Sequence, residues 1–321
     1  MLDLNTIKEK LKGPVFSIIT PFNDDESVDH DSLSNYVKYL YYQGARSFYV
    51  MGYNSRFSLL SDEEIMKVNH TVVKTVKSFN DINCVTIVAD PLHCSTETSI
   101  SFAKHAKEIG ADVISLIFRE KMYFEDQVYN HYKRVSENSS IGILIHQMPL
   151  NNGIPGQPAL VRWSCALTDR IADLPNVVAI KEDTKDDEYT QKMIDVLSNR
   201  LAIITSGNGM RQWLNFNGSA HAWLSGIGVF CPRAELDFFE SFNNNDLQAC
   251  HSILEQVEFP FNEIKNRFGW HLGIKSAMDA LDIMSRFERM PLQQLPDSEH
   301  AEVIKIMKRI SNSTDYFTMG E

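Results

Sequence analysis

The strongest constraint on this chain is an alternation of short apolar runs with helix-length amphipathic stretches. Eight runs, at residues 15–19, 47–51, 84–89, 113–117, 141–145, 177–180, 202–205 and 220–224, are rich in Val and Ile and bounded by Gly, Asp, Asn or Pro. Runs of that length and flanking chemistry read as strands. Helical patterns lie between them. One spans 31–43, with Asp29 or Asp31 as its cap and Gly44 as its stop; a second spans 61–79, where Ser61-Asp62-Glu63-Glu64 has capping-box spacing; a third spans 96–109 and ends at Gly110. Strands that are apolar throughout suit a parallel sheet covered on both faces. Eight such strand–helix units predict a (β/α)8 TIM barrel. A doubly wound open sheet would need fewer strands or a G-x-G-x-x-G turn, and the sequence has none. After Pro232 the alternation gives way to helical stretches at 246–265, 270–284 and 299–310, punctuated by Gly269 and Arg289-Met290-Pro291. We therefore expect a barrel over residues 1–231 and a C-terminal helical extension, packed on the barrel, over 232–321.

Length and charge narrow the function classes. A chain of 321 residues, 43% hydrophobic and 23% charged, has material for one large soluble barrel. Its formal charge of −11 is dispersed and shows no basic stripe, which argues against a nucleic-acid partner. No apolar run approaches a membrane span, and residues 1–12 mix charges with apolar residues unlike a signal peptide. Five scattered cysteines, an odd number, point to reduced thiols and a cytoplasmic location. The ten histidines do not cluster with acids at ligand spacing, so no metal is expected; His221 reads as core packing.

In such barrels the chemistry sits at the C-terminal ends of the strands. Those ends carry Thr20-Pro21-Phe22, then Gly52-Tyr53-Asn54-Ser55-Arg56, then Asp90, then residues 118–123, then His146-Gln147, Lys181, Ser206-Gly207-Asn208-Gly209 and Ser225-Gly226-Ile227-Gly228. Lys181 is the informative member. A lysine desolvated at a strand end holds less of its ammonium form, and its amine can attack a carbonyl. The same position also fits a charged residue that snorkels to water. His146, and hydroxyls from Tyr53 or Thr20, would complete a Schiff-base site in which an imidazole moves protons near neutral pH.

Several segments, in order along nearly the whole chain, resemble the dihydrodipicolinate synthase/N-acetylneuraminate lyase family of lysine-dependent aldolases. They are Gly13 with Thr20-Pro21-Phe22, Gly52, Gly110-Ala111-Asp112, Pro149, Ile180-Lys181-Glu182-Asp183-Thr184, Ser206-Gly207-Asn208, Ile274-Lys275-Ser276-Ala277-Met278 and Met290-Pro291-Leu292. The resemblance implies a barrel with a C-terminal helical extension, assembled as a homotetramer or homodimer. It also implies a lyase that acts on pyruvate or a related 2-oxo acid, with an aldehyde or sugar as second partner and no cofactor, and Lys181 as the Schiff-base lysine.

The departures from the family pattern fall on the site. The family's G-[TS]-[TS]-G-E becomes Gly52-Tyr53-Asn54-Ser55-Arg56, so Tyr53 and Asn54 take the carboxylate-binding positions. Arg56, in place of an acid, would pair with an anion or form an outward salt bridge. The family's Y-N-x-P-x-R-T-G becomes His146-Gln147-Met148-Pro149-Leu150-Asn151-Asn152-Gly153. His146 thus stands where a tyrosine relays protons. Asn151 stands where an arginine reads a second carboxylate, which argues against aspartate semialdehyde as substrate. The relay tyrosine that crosses a subunit interface falls near Glu120, with Tyr123 three residues on, and Asn208 is the candidate contact for hydroxyls of the second partner. Other readings stay open: dehydration or decarboxylation of a keto-sugar acid through the same iminium, a binding or regulatory barrel without turnover, or a phosphate site on the glycine turns at 207–209 and 226–228.

Overall fold

The eight runs close into a parallel barrel in chain order. The computed structural model describes residues 3–118, 124–147, 163–207 and 209–319. The strands are β1 (Gly13–Ser17), β2 (Ser47–Tyr49), β3 (Val85–Ala89), β4 (Val113–Phe118), β5 (Gly142–Gln147), β6 (Val177–Glu182), β7 (Ala202–Thr205) and β8 (Ala222–Leu224). Pairing of Gly13 with Ala222 and Val15 with Leu224 joins β8 to β1 and removes every sheet edge. The expected (β/α)8 TIM barrel is the observed fold, and C-terminal helices follow it.

Strand periodicity of two sorts the side chains. Val15, Ile87, Leu144, Ala179, Ile204 and Ala222 pack inside the barrel, whereas Phe16, Val88, Ile143, Ile180, Ile203 and Trp223 pack outward in the layer shared with the helices. Each fully buried aliphatic side chain of this kind stabilises the fold by about 1.5–3 kcal/mol. A helix not anticipated from the sequence, α1 (Leu4–Lys10), is capped by Asp3, whose side chain accepts the N–H groups of Asn5 and Thr6. Its Ile7, with Leu11 just beyond it, joins the barrel-interior cluster. Leu4 and Ile7 also lie beside Asp112 and Gly142, where β4 and β5 begin. Helix α1 therefore stoppers the N-terminal mouth and leaves the C-terminal mouth for chemistry.

The barrel helices are α2 (His30–Tyr42), α3 (Asp62–Ser78), α4 (Thr96–Glu108), α5 (Glu125–Asn138), α6 (Cys165–Ala172), α7 (Asp187–Leu197), α8 (Gly209–Asn215) and α9 (Pro232–Asn243). Asp29 rather than Asp31 caps α2, and the Ser61–Glu64 capping box of α3 forms as its spacing implies. Helix α9 packs against β1 and belongs to the outer layer of the barrel. Beyond it, α10 (Leu247–Ile253) runs through a π-helical turn into α11 (Phe259–Phe268); α12 (Trp270–Ala280) and α13 (Asp297–Ser311) follow. Gly269, at φ 77°, takes the left-handed turn that separates α11 from α12. No helix among the described residues is long and apolar enough to cross a membrane.

One buried carboxylate fastens α9 to the end of β8. Glu235 accepts the N–H groups of Gly226 and Gly228, each at 2.8 Å, the indole N–H of Trp223 at 2.7 Å and the Ser225 hydroxyl at 3.3 Å. Burial raises its pKa, and these donors oppose the rise. Replacing Glu235 with Ala strands several buried donors and is expected to cost about 3 kcal/mol. Glu235→Gln keeps one oxygen acceptor and costs less. Urea midpoints of the two variants against the parent check the order; equal loss in both would contradict it.

Candidate active site

Two adjacent strands build the centre of the site. Their register sets His146 of β5 directly beside Lys181 of β6. The sequence places Lys181 at the end of a strand, but β6 continues through Glu182, so the lysine lies within the barrel wall and its side chain is fully buried. Alternation then turns Lys181 and Asp183 toward the barrel axis and Glu182 outward. The outward Glu182 carboxylate accepts the Thr184 N–H at 2.7 Å and the Thr190 hydroxyl, which fixes the turn that carries Asp183.

The Lys181 Nζ lies 2.9 Å from Nε2 of His146 and 2.7 Å from Oδ2 of Asp183. His146 and Asp183 are 3.7 Å apart, an ion-pair distance longer than a hydrogen bond. Burial pushes the Lys181 amine below the ordinary lysine range, and the Asp183 carboxylate only partly restores it. For Asp183 burial acts upward, yet Lys181, Lys185 and His146 together hold its carboxyl well below the usual range. It therefore stays an anion. Behind the imidazole, Tyr49 lies 3.4 Å from His146 Nδ1 and 2.6 Å from the Ser115 hydroxyl. Burial keeps the Tyr49 phenol protonated, so Ser115 and Tyr49 brace the ring from inside the barrel.

A cleft of about 680 Å³ opens above this cluster. Lys181, Asp183, Tyr53, Asn54, Ser225 and Gly226 line it together with Trp270 and His271 from the start of α12. The structure thus brings together four of the residues singled out in the sequence: Lys181, His146, Tyr53 and Asn54. Asn54 is held at both ends of its amide: Nδ2 donates to Ser17 at 2.8 Å and Oδ1 accepts from the Trp270 indole at 3.3 Å. In the turn after β2 the backbone N–H groups of Ser55, Arg56 and Phe57 bond to the carbonyls of Met51, Tyr53 and Gly52. Thr20 is not on the cleft wall; it is fully buried, and its hydroxyl donates to the Ser55 carbonyl at 2.7 Å, bracing that turn from beneath. Asp90 is likewise a brace: it accepts from Ser99 at 2.6 Å and from the Ile117 N–H at 3.3 Å. His221 accepts the Ile203 N–H at 3.2 Å and lies ahead of β8, at the far end of the strand from the cleft. Asn151, Asn208 and Glu120, and with them Tyr123, lie outside the described residues.

The structure corrects two expectations. Arg56 neither awaits an anion nor faces solvent. It is buried at φ 63°, pairs with Glu288 at 2.6 Å, and also meets Nδ1 of His271 at 2.9 Å. The glycine turn at 226–228 is not an open phosphate cradle either, because its amides already hold the Glu235 carboxylate. Sequence reasoning missed Asp183 as a partner of the lysine. The signal was present: residues i and i+2 of a strand share a face, so an acid two positions after Lys181 had to lie beside it.

A family model described as the dihydrodipicolinate synthetase family matches residues 10–310. The 4-hydroxy-tetrahydrodipicolinate synthase of Methanothrix thermoacetophila is 26% identical, over 94% of this chain and 98% of its own. That of Clostridium perfringens is 29% identical over 89% and 94%. Among solved structures, the dihydrodipicolinate synthase of Oceanobacillus iheyensis superposes with a TM-score of 0.80 at 20% identity, covering 95% of this chain and 98% of its own. The chloride-inhibited Acinetobacter baumannii enzyme, solved with pyruvate, gives 0.79 at 23% identity, covering 94% and 99%. With a match over almost its entire length, the chain belongs to the dihydrodipicolinate synthetase family.

Proposed function

We propose that this protein is a Schiff-base-forming lyase of the aldolase type, acting on pyruvate or a related 2-oxo acid. The observation that carries the reading is the fully buried Lys181 amine on the wall of the cleft, within hydrogen-bond reach of His146 and Asp183. The A. baumannii relative was solved with pyruvate, which supports the same substrate class here. In this reading His146 takes a proton from the buried ammonium across 2.9 Å. The freed amine attacks the C2 carbonyl, and the carbinolamine loses water as the imidazolium returns the proton. The resulting iminium is cationic, and Asp183 balances it. Electron withdrawal by the iminium then lets a C3–H or C3–C4 bond break, with His146 as the base or acid. The backbone N–H of Asn54, which bonds to no group among the described residues, supplies a donor for the C1 carboxylate. We hold 4-hydroxy-tetrahydrodipicolinate synthesis apart from this reading, because Asn151 replaces the arginine that reads a second carboxylate.

Borohydride reduction with pyruvate, read by peptide mass, tests the proposal: one adduct on Lys181 is expected, and none in Lys181→Ala. Absence of an adduct across a panel of 2-oxo acids would refute it. For His146→Ala, exchange of the pyruvate C3 protons with deuterium is expected to fall about 10²–10⁴-fold, a larger loss than that in adduct formation. Equal losses would mean that His146 serves only to position the amine.

The carboxylate of Asp183 raises the lysine pKa against the effect of burial. Removing it in Asp183→Asn therefore lowers that pKa further, and the rise of trapping rate with pH should move to lower pH. A shift to higher pH, or no shift, would contradict this sign.

A further inference from the structure

The cleft continues past the reacting amine, and its outer wall is cationic. Among the described residues its lining holds Lys181, Lys185 and Lys265 against one carboxylate, that of Asp183, which bonds to Lys181 at 2.7 Å and lies 3.7 Å from the Lys185 ammonium. A chain of formal charge −11 has thus gathered positive charge where a ligand enters. His271 on the same wall adds none, since burial and the neighbouring Arg56 push its pKa down to about 3.

Both outer lysines show signs of deliberate placement. Lys185 sits at φ 58°, a left-handed conformation natural to glycine and disfavoured for a side chain as long as lysine's. Beside it Gly207, at φ 115°, leaves room for the stem: a Cβ there would lie 2.9 Å from the Lys185 Cε. Lys265 reaches the cleft from the last turn of α11, and its Nζ makes no hydrogen bond or ion pair among the described residues. The nearby Arg211, by contrast, is tied to Glu258. Burial is the main cause that depresses the Lys265 pKa; Arg211 and Lys185 add to it, and Glu258 opposes them.

We propose that Lys185 and Lys265 form a second anion subsite at the outer end of the cleft, for the distal carboxylate or phosphate of an extended 2-oxo acid whose carbonyl reaches Lys181. This rests on the Schiff-base reading for the near end of the substrate only. It places the second charge on the β6 turn and α11, rather than on the segment after β5.

The test uses the full-length protein and three 2-oxo acids of equal chain length ending in a hydroxyl, a carboxylate or a phosphate. Half-saturation of borohydride trapping on Lys181 is read by mass. At least one anionic-ended acid should saturate at a concentration at least tenfold below the hydroxyl-ended one, and the tighter of the two anions names the source. Lys185→Gln and Lys265→Gln should each reduce that preference threefold or more, and added salt should weaken it. Equal half-saturation for all three acids, or lysine variants that weaken all three alike, would overturn the subsite. Calorimetry with glutarate, a dianion with no ketone, reads the subsite even if no adduct forms. Binding that weakens in both variants supports the subsite, and no binding to the parent protein overturns it. Failure of pyruvate to form an adduct would count against the Schiff-base reading alone.

Discussion

The structure of the site depends on holding an ammonium group where no water reaches it. Lys181 is fully buried, and an isolated buried charge costs several kcal/mol. Asp183 at 2.7 Å and His146 at 2.9 Å offset that cost because the β5–β6 register brings in His146 and period-two alternation puts Asp183 on the same face as Lys181. A slip of one residue between β5 and β6 would turn His146 to the opposite face from Lys181. The closed barrel, plugged at its N-terminal mouth by α1, secures that register and excludes solvent from below. Barrel closure and the lowered lysine pKa are therefore one constraint seen at two scales.

The C-terminal helices belong to the site as much as the strands do. Arg56, on the turn after β2, bonds to Glu288 and to His271. Lys275 of α12 donates to the carbonyls of Thr20 and Phe287, each at 2.9 Å, and lies 3.8 Å from Glu288. This buried cluster of two cations and one anion bolts α12 onto the turns after β1 and β2, and Trp270 then reaches Asn54. The turn after β2 is thus shaped by residues more than two hundred positions away in sequence.

That separation explains what the sequence could and could not disclose. Strand runs and capping boxes are local signals, so the barrel, the α3 cap and the place of Lys181 were legible from periodicity. Asp183 was legible in principle from period two alone. The partner of Arg56 was not, because nothing near Arg56 names Glu288. The same holds for Glu235: a Gly-rich turn looks like an anion site, and only the fold reveals that the chain supplies the anion itself. Helix α1 was missed because about two turns with mixed charge carry little periodicity, while its Asp3 cap is an ordinary residue in isolation.

A carboxylate beside the lysine opposes one step of the chemistry, since it favours the ammonium over the nucleophilic amine. The charge states along the proposed reaction decide otherwise. Ammonium and iminium both carry one positive charge at nearly the same point, so Asp183 stabilises the resting state and the iminium alike and leaves their difference little changed. Only the short-lived neutral amine is disfavoured, and His146, in contact with the same nitrogen, gives its proton somewhere to go without leaving the barrel. Uniform stabilisation of this kind does not speed the bond-breaking step by itself. In the proposed reaction its effect is to keep a cationic intermediate in a buried site until the bond at C3 breaks. Discrimination among substrates must then come from farther out along the cleft, where the lining charge is positive and its wall is built from both the β6 turn and α11.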